Sequence, residues 1–282
     1  APCCSECLLH AVHQASVWLR RGMARLLIFG LGYTATRIAD ALRGRGWHVD
    51  ATGSAGNLAF DDRTAVAQAA DAATHVLSSV PPSEGSDPVL DRYGDLIGDR
   101  WLGYLSSTGV YGDAQGAWVD EASPTGGGRR SARAECDSRW LDAGARVFRL
   151  PGIYGPGRSA FDRIEQGKAH RIDLPGQVFS RVHVADIVAG VITAVGRDAP
   201  AGAYNLADDL PTSQNTVIEE ACRLLGQAPP PLQSIEDAGL SPMARGFYAE
   251  NRRVANGKAK RVLGWEPAFP TYREGLATIM AR

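Results

Sequence analysis

Lysine is scarce in this 282-residue sequence, and long runs of one kind of side chain are absent. Lys168, Lys258 and Lys260 are the only lysines, and the formal net charge is −1. A near-neutral chain without a basic run is not typical of a protein that binds nucleic acid or a membrane surface. No apolar stretch reaches the roughly 18 residues that a spanning helix needs, which argues against an integral membrane protein.

Cysteine is also sparse, and its five occurrences do not form a disulfide framework. Cys136 and Cys222 stand singly in helix-like segments, so we expect two core thiols in a protein of the reducing cytoplasm. Neither cysteine has the histidine context of a nucleophile.

The first 22 residues differ from the rest of the chain. They hold the possible metal ligands Cys4, Cys7, His10 and His13, but the spacing is too short for the usual zinc finger. A strand pattern begins directly after Met23, as is common at the start of an open α/β domain. We therefore interpret residues 1–22 as a non-native or disordered extension and predict no metal site.

Strand-like and helix-like segments alternate from Met23 onward, in a chain long enough for one large domain or two small ones. The predicted strands are 26–29, 47–52, 75–80, 101–106 and 147–150. The predicted helices are 34–43, 65–73, 87–99 and 132–143. Strands that alternate with helices of about ten residues indicate an α/β fold with a doubly wound parallel sheet.

A glycine-rich loop joins the first predicted strand to the first predicted helix. It reads Gly30-Leu31-Gly32-Tyr33-Thr34-Ala35, the G-x-G-x-x-A form of the dinucleotide-binding fingerprint. Gly30 permits a tight turn, Gly32 lets a pyrophosphate approach the backbone, and Ala35 allows close packing of helix on sheet. With the N–H groups of the helix start at Tyr33 and Thr34, this segment predicts an NAD or NADP site.

The end of the second strand distinguishes the two nicotinamide cofactors. Asp50 lies twenty residues after Gly30, but the predicted strand continues past it and ends at Thr52-Gly53-Ser54 without a carboxylate. The missing acid mildly favours NADP, whereas the missing arginine leaves NAD open. The predicted cofactor contacts also include three residues at or just after strand ends, namely Ser54, Val80 and Ile153.

Six further motifs follow in order, and together they resemble a known family, the extended short-chain dehydrogenase/reductases of the NAD-dependent epimerase/dehydratase group. The motifs are Leu105 to Gly112, Asp120-Glu121 with Pro124 and Ala134-Glu135, Arg149 to Gly157, Val182 to Ile187, Tyr204-Asn205-Leu206, and Leu263 to Pro267. The resemblance implies a Rossmann-type domain over 23–152, to which 181–207 returns. It also implies a smaller substrate lobe made of 153–180 and 208–282.

The chain departs from this family at the catalytic pair. The family uses Tyr-x-x-x-Lys, in which the lysine lowers the tyrosine pKa so that a phenolate acts as base. The usual spacing from Glu135 places Gly127 and Ser131 at these positions, and no tyrosine lies between Tyr111 and Tyr154. The segment instead carries arginines, which bind anions but cannot act as the base; they are Arg129, Arg130 and Arg133.

Two positions that hold a diphosphate in nucleotide-sugar enzymes of the family are also changed. Gly152 replaces an asparagine, and Phe179 replaces an arginine, with Arg181 nearby. A nucleotide-sugar substrate is therefore in doubt.

Ser107 and Tyr111 are the remaining candidates for catalysis. Ser107 matches the hydroxyl residue that binds the substrate oxygen in the family, while Tyr111 matches a tyrosine that usually supports the loop. We expect an NAD(P)-dependent oxidoreductase or epimerase with a non-standard site, acting on a small carbonyl, hydroxyl or sugar-like substrate. The alternative is an NAD(P)-binding sensor or partner-stabilising protein without turnover. Homodimers are common in the family.

Overall fold

The computed structural model describes residues 24–98, 100–127 and 131–281, without the side chain of Met243. The N-terminal extension with its cysteines and histidines, and also Arg129 and Arg130, lie outside the described residues. The described strands are β1 Arg25–Phe29, β2 His48–Ala51, β3 His75–Ser78, β4 Trp101–Ser107, β5 Trp118–Val119, β6 Arg146–Leu150, β7 Gly152–Tyr154, β8 Arg171–Ile172, β9 Arg181–His183, β10 Gly202–Asn205, β11 Leu232–Gln233 and β12 Arg253–Val254.

Helices alternate with these strands along the chain. They are α1 Tyr33–Arg43, α2 Arg63–Ala72, α3 Pro88–Ile97, α4 Ser131–Asp142, α5 Ala160–Glu165, α6 Val184–Gly196, α7 Gln214–Leu224, α8 Pro242–Tyr248 and α9 Tyr272–Met280, with a 3₁₀ turn at Thr108–Tyr111 and a π-helical turn at Ala259–Leu263. Within the described ranges, no helix has the length and apolar character needed to cross a membrane.

A six-stranded sheet has the order β10-β6-β4-β3-β1-β2. The pairings of β1 with β2 and β3, and of β10 with β6, are parallel; Leu26 aligns with Val49 and His75. The doubly wound α/β fold expected from the alternation of segments is thereby confirmed, including the return of the chain to the sheet near Tyr204.

The described chain divides into two compact units by its contacts. The first contains residues 24–80 and Val89–Gly103, and the second contains Pro81–Pro88 and residues 104–281. The predicted boundary of the substrate lobe at residue 152 stays a prediction.

The first unit is built on the apolar strand β1. Leu27 and Ile28 have no exposed surface, as expected for a parallel strand covered on both faces. The helix α1 turns Ile38 and Leu42 inward and ends at Gly44. Asp62 begins α2, since its side chain accepts a hydrogen bond from the Ala65 N–H.

The second unit has a core of large aromatic and aliphatic side chains. Tyr104 of β4 stacks on Trp140 of α4, with ring centroids 5.4 Å apart. The indole N–H of Trp140 donates to the Asp87 carboxylate at 2.7 Å, so the ring's polar atom is satisfied inside the core. Another apolar cluster forms around α7; it includes Val217, Ile218, Ala221, Cys222 and Leu276.

Candidate functional site

The loop between β1 and α1 has the backbone geometry that its glycines predict. Gly30 has a φ of +84°, and a Cβ there would lie 3.0 Å from Val80 Cγ2 and 3.1 Å from Ser79 Oγ. Gly32 is exposed, and a Cβ at this position would have nothing within 4 Å. The turn therefore requires glycine at position 30. At Gly32 the folded chain would accommodate a Cβ, and the space beside this residue is open.

The start of α1 suits an anion. Gly32 occupies the N-cap and offers no side-chain hydrogen bond, and no acidic residue lies in the first turn, which contains Tyr33, Thr34 and Ala35. N-terminal N–H groups and the positive end of the helix dipole attract phosphate groups. Thr34 and Ala35 are buried behind this surface.

Two hydroxyl residues that sequence reasoning did not select hold the loop in place. Thr52 Oγ1 accepts a hydrogen bond from the Gly30 N–H at 3.1 Å, and Ser79 Oγ donates to the Gly30 carbonyl. The Leu31 N–H donates to the Thr52 carbonyl at 2.9 Å. Small hydroxyl residues directly after two parallel strands are the signal that could have identified them.

The loop after β2 approaches the glycine loop closely. Gly53 has a φ of +112°, and a Cβ there would lie 3.0 Å from the Leu31 nitrogen. Ser54 is exposed in the turn that follows. Asp50 accepts a hydrogen bond from Asn57 at 2.9 Å and pairs with His48. Burial acts to raise the pKa of Asp50, but these partners lower it below its ordinary value.

These features of the first unit fit a dinucleotide. Gly32 leaves space at the helix start, and Ser54 and Val80 follow the strands on either side of β1. The carboxylate of Asp50 already has partners within this unit. The preference for NADP over NAD stays a prediction.

Ser107 lies half-buried at the carboxyl end of β4 in the second unit. Its Oγ accepts a hydrogen bond from the Gly109 N–H at 3.1 Å and so caps the 3₁₀ turn. This contact uses an acceptor position of the hydroxyl and leaves its proton able to donate to a substrate oxygen.

Buried polar side chains surround the same turn, and we call them the Arg149 network. Arg149, 3% exposed, forms an ion pair with Asp137 at 2.7 Å. Asp137 also accepts a hydrogen bond from Ser106 at 2.6 Å. Arg149 donates to the Tyr111 hydroxyl at 3.0 Å, and that hydroxyl donates to Asn205 Oδ1 at 2.7 Å.

The network accounts for the position of Tyr111. Burial raises the pKa of Tyr111, although Arg149 and Asn205 act in the opposite direction. The hydroxyl is 2.7 Å from one partner and 3.0 Å from the other, and the side chain is 6% exposed. This geometry favours support of the turn that carries Ser107; the catalytic role of Tyr111 stays a prediction.

The two positions at which the resemblance places the family's catalytic pair lie in the second unit. Gly127 is exposed, and a Cβ there would have nothing within 4 Å. Ser131 begins α4 and is exposed, and Arg133 lies in the first turn of the same helix. A Cβ at Gly127 therefore meets no neighbour among the described residues.

Arg181, which lies near the position where the resemblance expects a diphosphate-binding arginine, is bound to backbone carbonyls inside the fold. It is 6% exposed, and its terminal nitrogens donate to the carbonyls of Phe179 and Thr212 at 2.9 Å and of Ser213 at 3.2 Å. A Cβ at Gly152 would lie 3.3 Å from the Ser180 carbonyl. Ile153, predicted to contact the cofactor, is half-buried on β7 of this unit.

Cys136 and Cys222 are free and buried, which confirms the prediction of core thiols. Burial raises the pKa of both thiols, that of Cys136 to about 11. His183 is also a core residue, 2% exposed, and its Nδ1 caps α6 by accepting the Ala185 N–H.

Two curated proteins illustrate the similarity of the chain to known sequences. Protein YeeZ of Escherichia coli K12 is 27% identical over 292 aligned positions, which cover 88% of this chain and 97% of that protein. A 3-diazoavenalumate denitrifying reductase from Streptomyces is 33% identical over 146 positions, 48% of this chain and 47% of the reductase. No protein-family model matches the chain.

Solved structures share the fold over most of their length. A human epimerase family protein with NADPH has a TM-score of 0.69 and 15% identity, with 92% of this chain and 99% of that chain covered. A dTDP-glucose 4,6-dehydratase from Bacillus anthracis in complex with NAD has a TM-score of 0.69 and 16% identity, with coverages of 92% and 96%.

A third structure is much closer in sequence. It is of a functionally unknown conserved protein from Silicibacter pomeroyi, with a TM-score of 0.82 and 40% identity over 92% of this chain and 98% of that chain. The chain thus shares its fold with an epimerase family protein and with a dehydratase. The chain has their Rossmann-type fold and belongs to one family with the Silicibacter pomeroyi protein.

Proposed function

We propose that this protein is an NAD(P)-dependent oxidoreductase that acts on a small carbonyl or hydroxyl compound. The observation that carries the proposal is the glycine loop, whose exposed Gly32 leaves open space at the uncapped start of α1. Fold neighbours with NADPH and with NAD, and a reductase among the sequence relatives, support the same class.

Residues of the first unit would hold the cofactor. The backbone at Gly30, Gly32 and Tyr33 would bind the pyrophosphate, and Ser54 would contact the ribose that carries the adenine. Thr52 and Ser79 keep the loop in its binding conformation through their hydrogen bonds to Gly30. When bound, the dinucleotide supplies or accepts a hydride, so the protein must position the substrate and stabilise charge on its oxygen.

Ser107 would bind the substrate oxygen in this proposal. Its acceptor contact with the Gly109 N–H fixes the direction of the hydroxyl, and its proton can then be donated to a carbonyl. The Arg149 network keeps the 3₁₀ turn rigid, which preserves that direction. Arg133 would offset negative charge that develops on the substrate oxygen, because a guanidinium stays protonated.

A nucleotide-sugar substrate is not supported. Phe179 replaces the arginine of the resembled family, and the guanidinium of Arg181 already binds backbone carbonyls inside the fold. A diphosphate at this place would lack its cationic partners. We therefore propose a substrate without a diphosphate.

The experiment is a spectrophotometric assay of nicotinamide oxidation against aldehydes, ketones and nucleotide sugars. We expect slow turnover of an aldehyde or ketone, since loss of general acid–base help typically costs about 10²–10⁴-fold in rate. Ser107→Ala should lower kcat, while Ser131→Ala, at an exposed position at the start of α4, should not. The double variant Gly127→Tyr with Ser131→Lys should raise kcat if the rest of the catalytic site is intact and only the Tyr-x-x-x-Lys pair is missing.

Absence of turnover with both the natural protein and the double variant, while cofactor still binds, would contradict the oxidoreductase proposal. That result would instead favour an NAD(P)-binding protein without catalysis. Fast turnover of a nucleotide sugar would contradict the proposed substrate class.

A further inference from the structure

Three aromatic rings meet in the second unit although none of them belongs to its buried core. His170 precedes β8, Phe179 precedes β9, and Tyr248 ends α8. All three side chains are half-buried. We call these residues the aromatic cluster; Tyr248 comes from a segment far in the sequence from the other two.

Tyr248 lies at the centre of the aromatic cluster. Its ring centroid is 5.5 Å from that of Phe179, with the planes at 89°, and 6.4 Å from that of His170. The backbone of Phe179 is fixed by reciprocal hydrogen bonds with Thr212, at 2.9 and 3.1 Å. The rings therefore have a defined arrangement while each keeps surface exposed to solvent.

The charges that act on this cluster are positive. The guanidinium groups of Arg163 and Arg181 both act to lower the pKa of Tyr248, although burial raises it overall. Arg163 also acts on His170, whose pKa is lowered mainly by burial, so the imidazole is neutral near pH 7. Arg163 is exposed on α5, whereas the terminal nitrogens of Arg181 bind carbonyl groups.

We propose that the aromatic cluster and Arg163 bind the substrate, and that this substrate is a planar aromatic carboxylate. Edges and faces of aromatic rings attract another ring in stacked or T-shaped geometry, and a guanidinium pairs with a carboxylate. Phe179 occupies the place of the family's diphosphate-binding arginine, so the change exchanges a charge for a ring. This inference rests on the proposed function and names the substrate class for the same site.

The test is calorimetric titration of the full chain with trans-cinnamate, with the neutral trans-cinnamamide and with UDP-glucose. Each titration is run with and without NADPH or NADH, so that failure to bind cofactor is measured separately from failure to bind the aromatic acid. The cluster variants are Phe179→Leu, Tyr248→Leu and Arg163→Gln. Matched controls are Trp118→Leu, at an exposed tryptophan outside the cluster, and Arg223→Gln, at an exposed arginine.

We expect cinnamate to bind and the amide to bind more weakly. Phe179→Leu and Tyr248→Leu should each weaken both ligands about tenfold, since ring contacts are lost. Arg163→Gln should weaken cinnamate alone and remove the preference for the acid, and the controls should change neither ligand. Melting temperatures verify that every variant folds.

Three results would overturn the proposal. The first is that cinnamate fails to bind at millimolar concentration to protein that binds the cofactor. The second is that the cluster variants bind cinnamate as tightly as the natural protein does. The third is that UDP-glucose binds more tightly than cinnamate and loses affinity in the same variants, which assigns the cluster to a nucleobase.

Discussion

Arg149 shows what the sequence can and cannot indicate about a single residue. Its motif is recognisable, but its ion pair with Asp137 links β6 to α4 and closes only in the folded chain. Burial acts to lower the pKa of Arg149, yet hydrogen bonds with Asp137 and Tyr111 raise it above its ordinary value. The guanidinium is therefore charged inside the second unit, and removal of its partner leaves a buried charge uncompensated.

We predict that Arg149→Met lowers the free energy of unfolding by about 3–5 kcal/mol, because it leaves Asp137 buried without its cation. The combined change Asp137→Leu with Arg149→Met should be less destabilising than Arg149→Met alone. Urea unfolding measures both. As control, Arg223→Met removes an exposed, solvent-screened ion pair with Glu220 and should change stability little. Equal losses for Arg149→Met and Arg223→Met would contradict this account.

The glycines were the most predictable residues of the candidate site. Gly30 was expected to make a tight turn, and its φ of +84° confirms this. Thr52 and Ser79 were not selected, because hydroxyl residues after strands are common and their hydrogen bonds to Gly30 depend on strand order. The spacing of the glycines predicts the backbone conformation of the loop but not the side chains that stabilise it.

The regular elements of the first half of the chain were predictable, whereas the short strands were not. Predicted strand 26–29 corresponds to β1 Arg25–Phe29, and predicted helix 34–43 to α1 Tyr33–Arg43. Each is long enough for an apolar run or a helical repeat to be visible. Two-residue strands such as β5 and β12 have no period, and tertiary contacts alone define them.

Helix caps give an element-scale prediction. Thr271 and Glu274 form a capping box at the start of α9, in which the Glu274 carboxylate accepts the Thr271 N–H at 3.0 Å. We expect Thr271→Ala to destabilise the protein by about 0.5–2 kcal/mol, with Thr271→Ser close to the natural protein. Thermal or urea unfolding tests this; no difference between the alanine and serine variants would contradict a capping role.

The parallel sheet was predictable at the scale of the whole molecule, but the order of its strands and the division into units were not. Alternation of strands and helices implies parallel neighbours, and β10 joins β6 as expected for a returning segment. The units separate within β4, between Gly103 and Tyr104, and no composition change marks that point. The division into units therefore depends on tertiary contacts, which the sequence of a single segment does not reveal.

The stability of the whole protein should depend on pH through Asp208. This side chain is 2% exposed, and burial raises its pKa to about 8, although the charge of Arg181 acts in the opposite direction. The folded state therefore favours the protonated acid, which gives stability that is complete below pH of about 4 and is lost as pH rises towards 8.

Urea unfolding at several pH values between 5 and 8, at an ionic strength of about 0.1 M, measures how the free energy of unfolding changes with pH. We expect the natural protein to lose stability relative to Asp208→Asn by up to about 1.4 kcal/mol per pH unit, because the amide does not titrate. The comparison cancels the contributions of other titrating groups. Parallel stability curves for the two proteins would contradict the buried, protonated state of Asp208.

Calorimetric titration with NADPH and with NADH measures whether the glycine loop binds a nicotinamide dinucleotide. Gly32 has a φ of −92° and open space at its Cβ position, so Gly32→Asp should fold and melt as the natural protein does. We predict that the natural protein binds at least one of the two cofactors and that Gly32→Asp binds it at least about a hundredfold more weakly, since like charges in contact cost several kcal/mol. Failure of the natural protein to bind either cofactor at millimolar concentration, or equal binding by Gly32→Asp, would contradict the account.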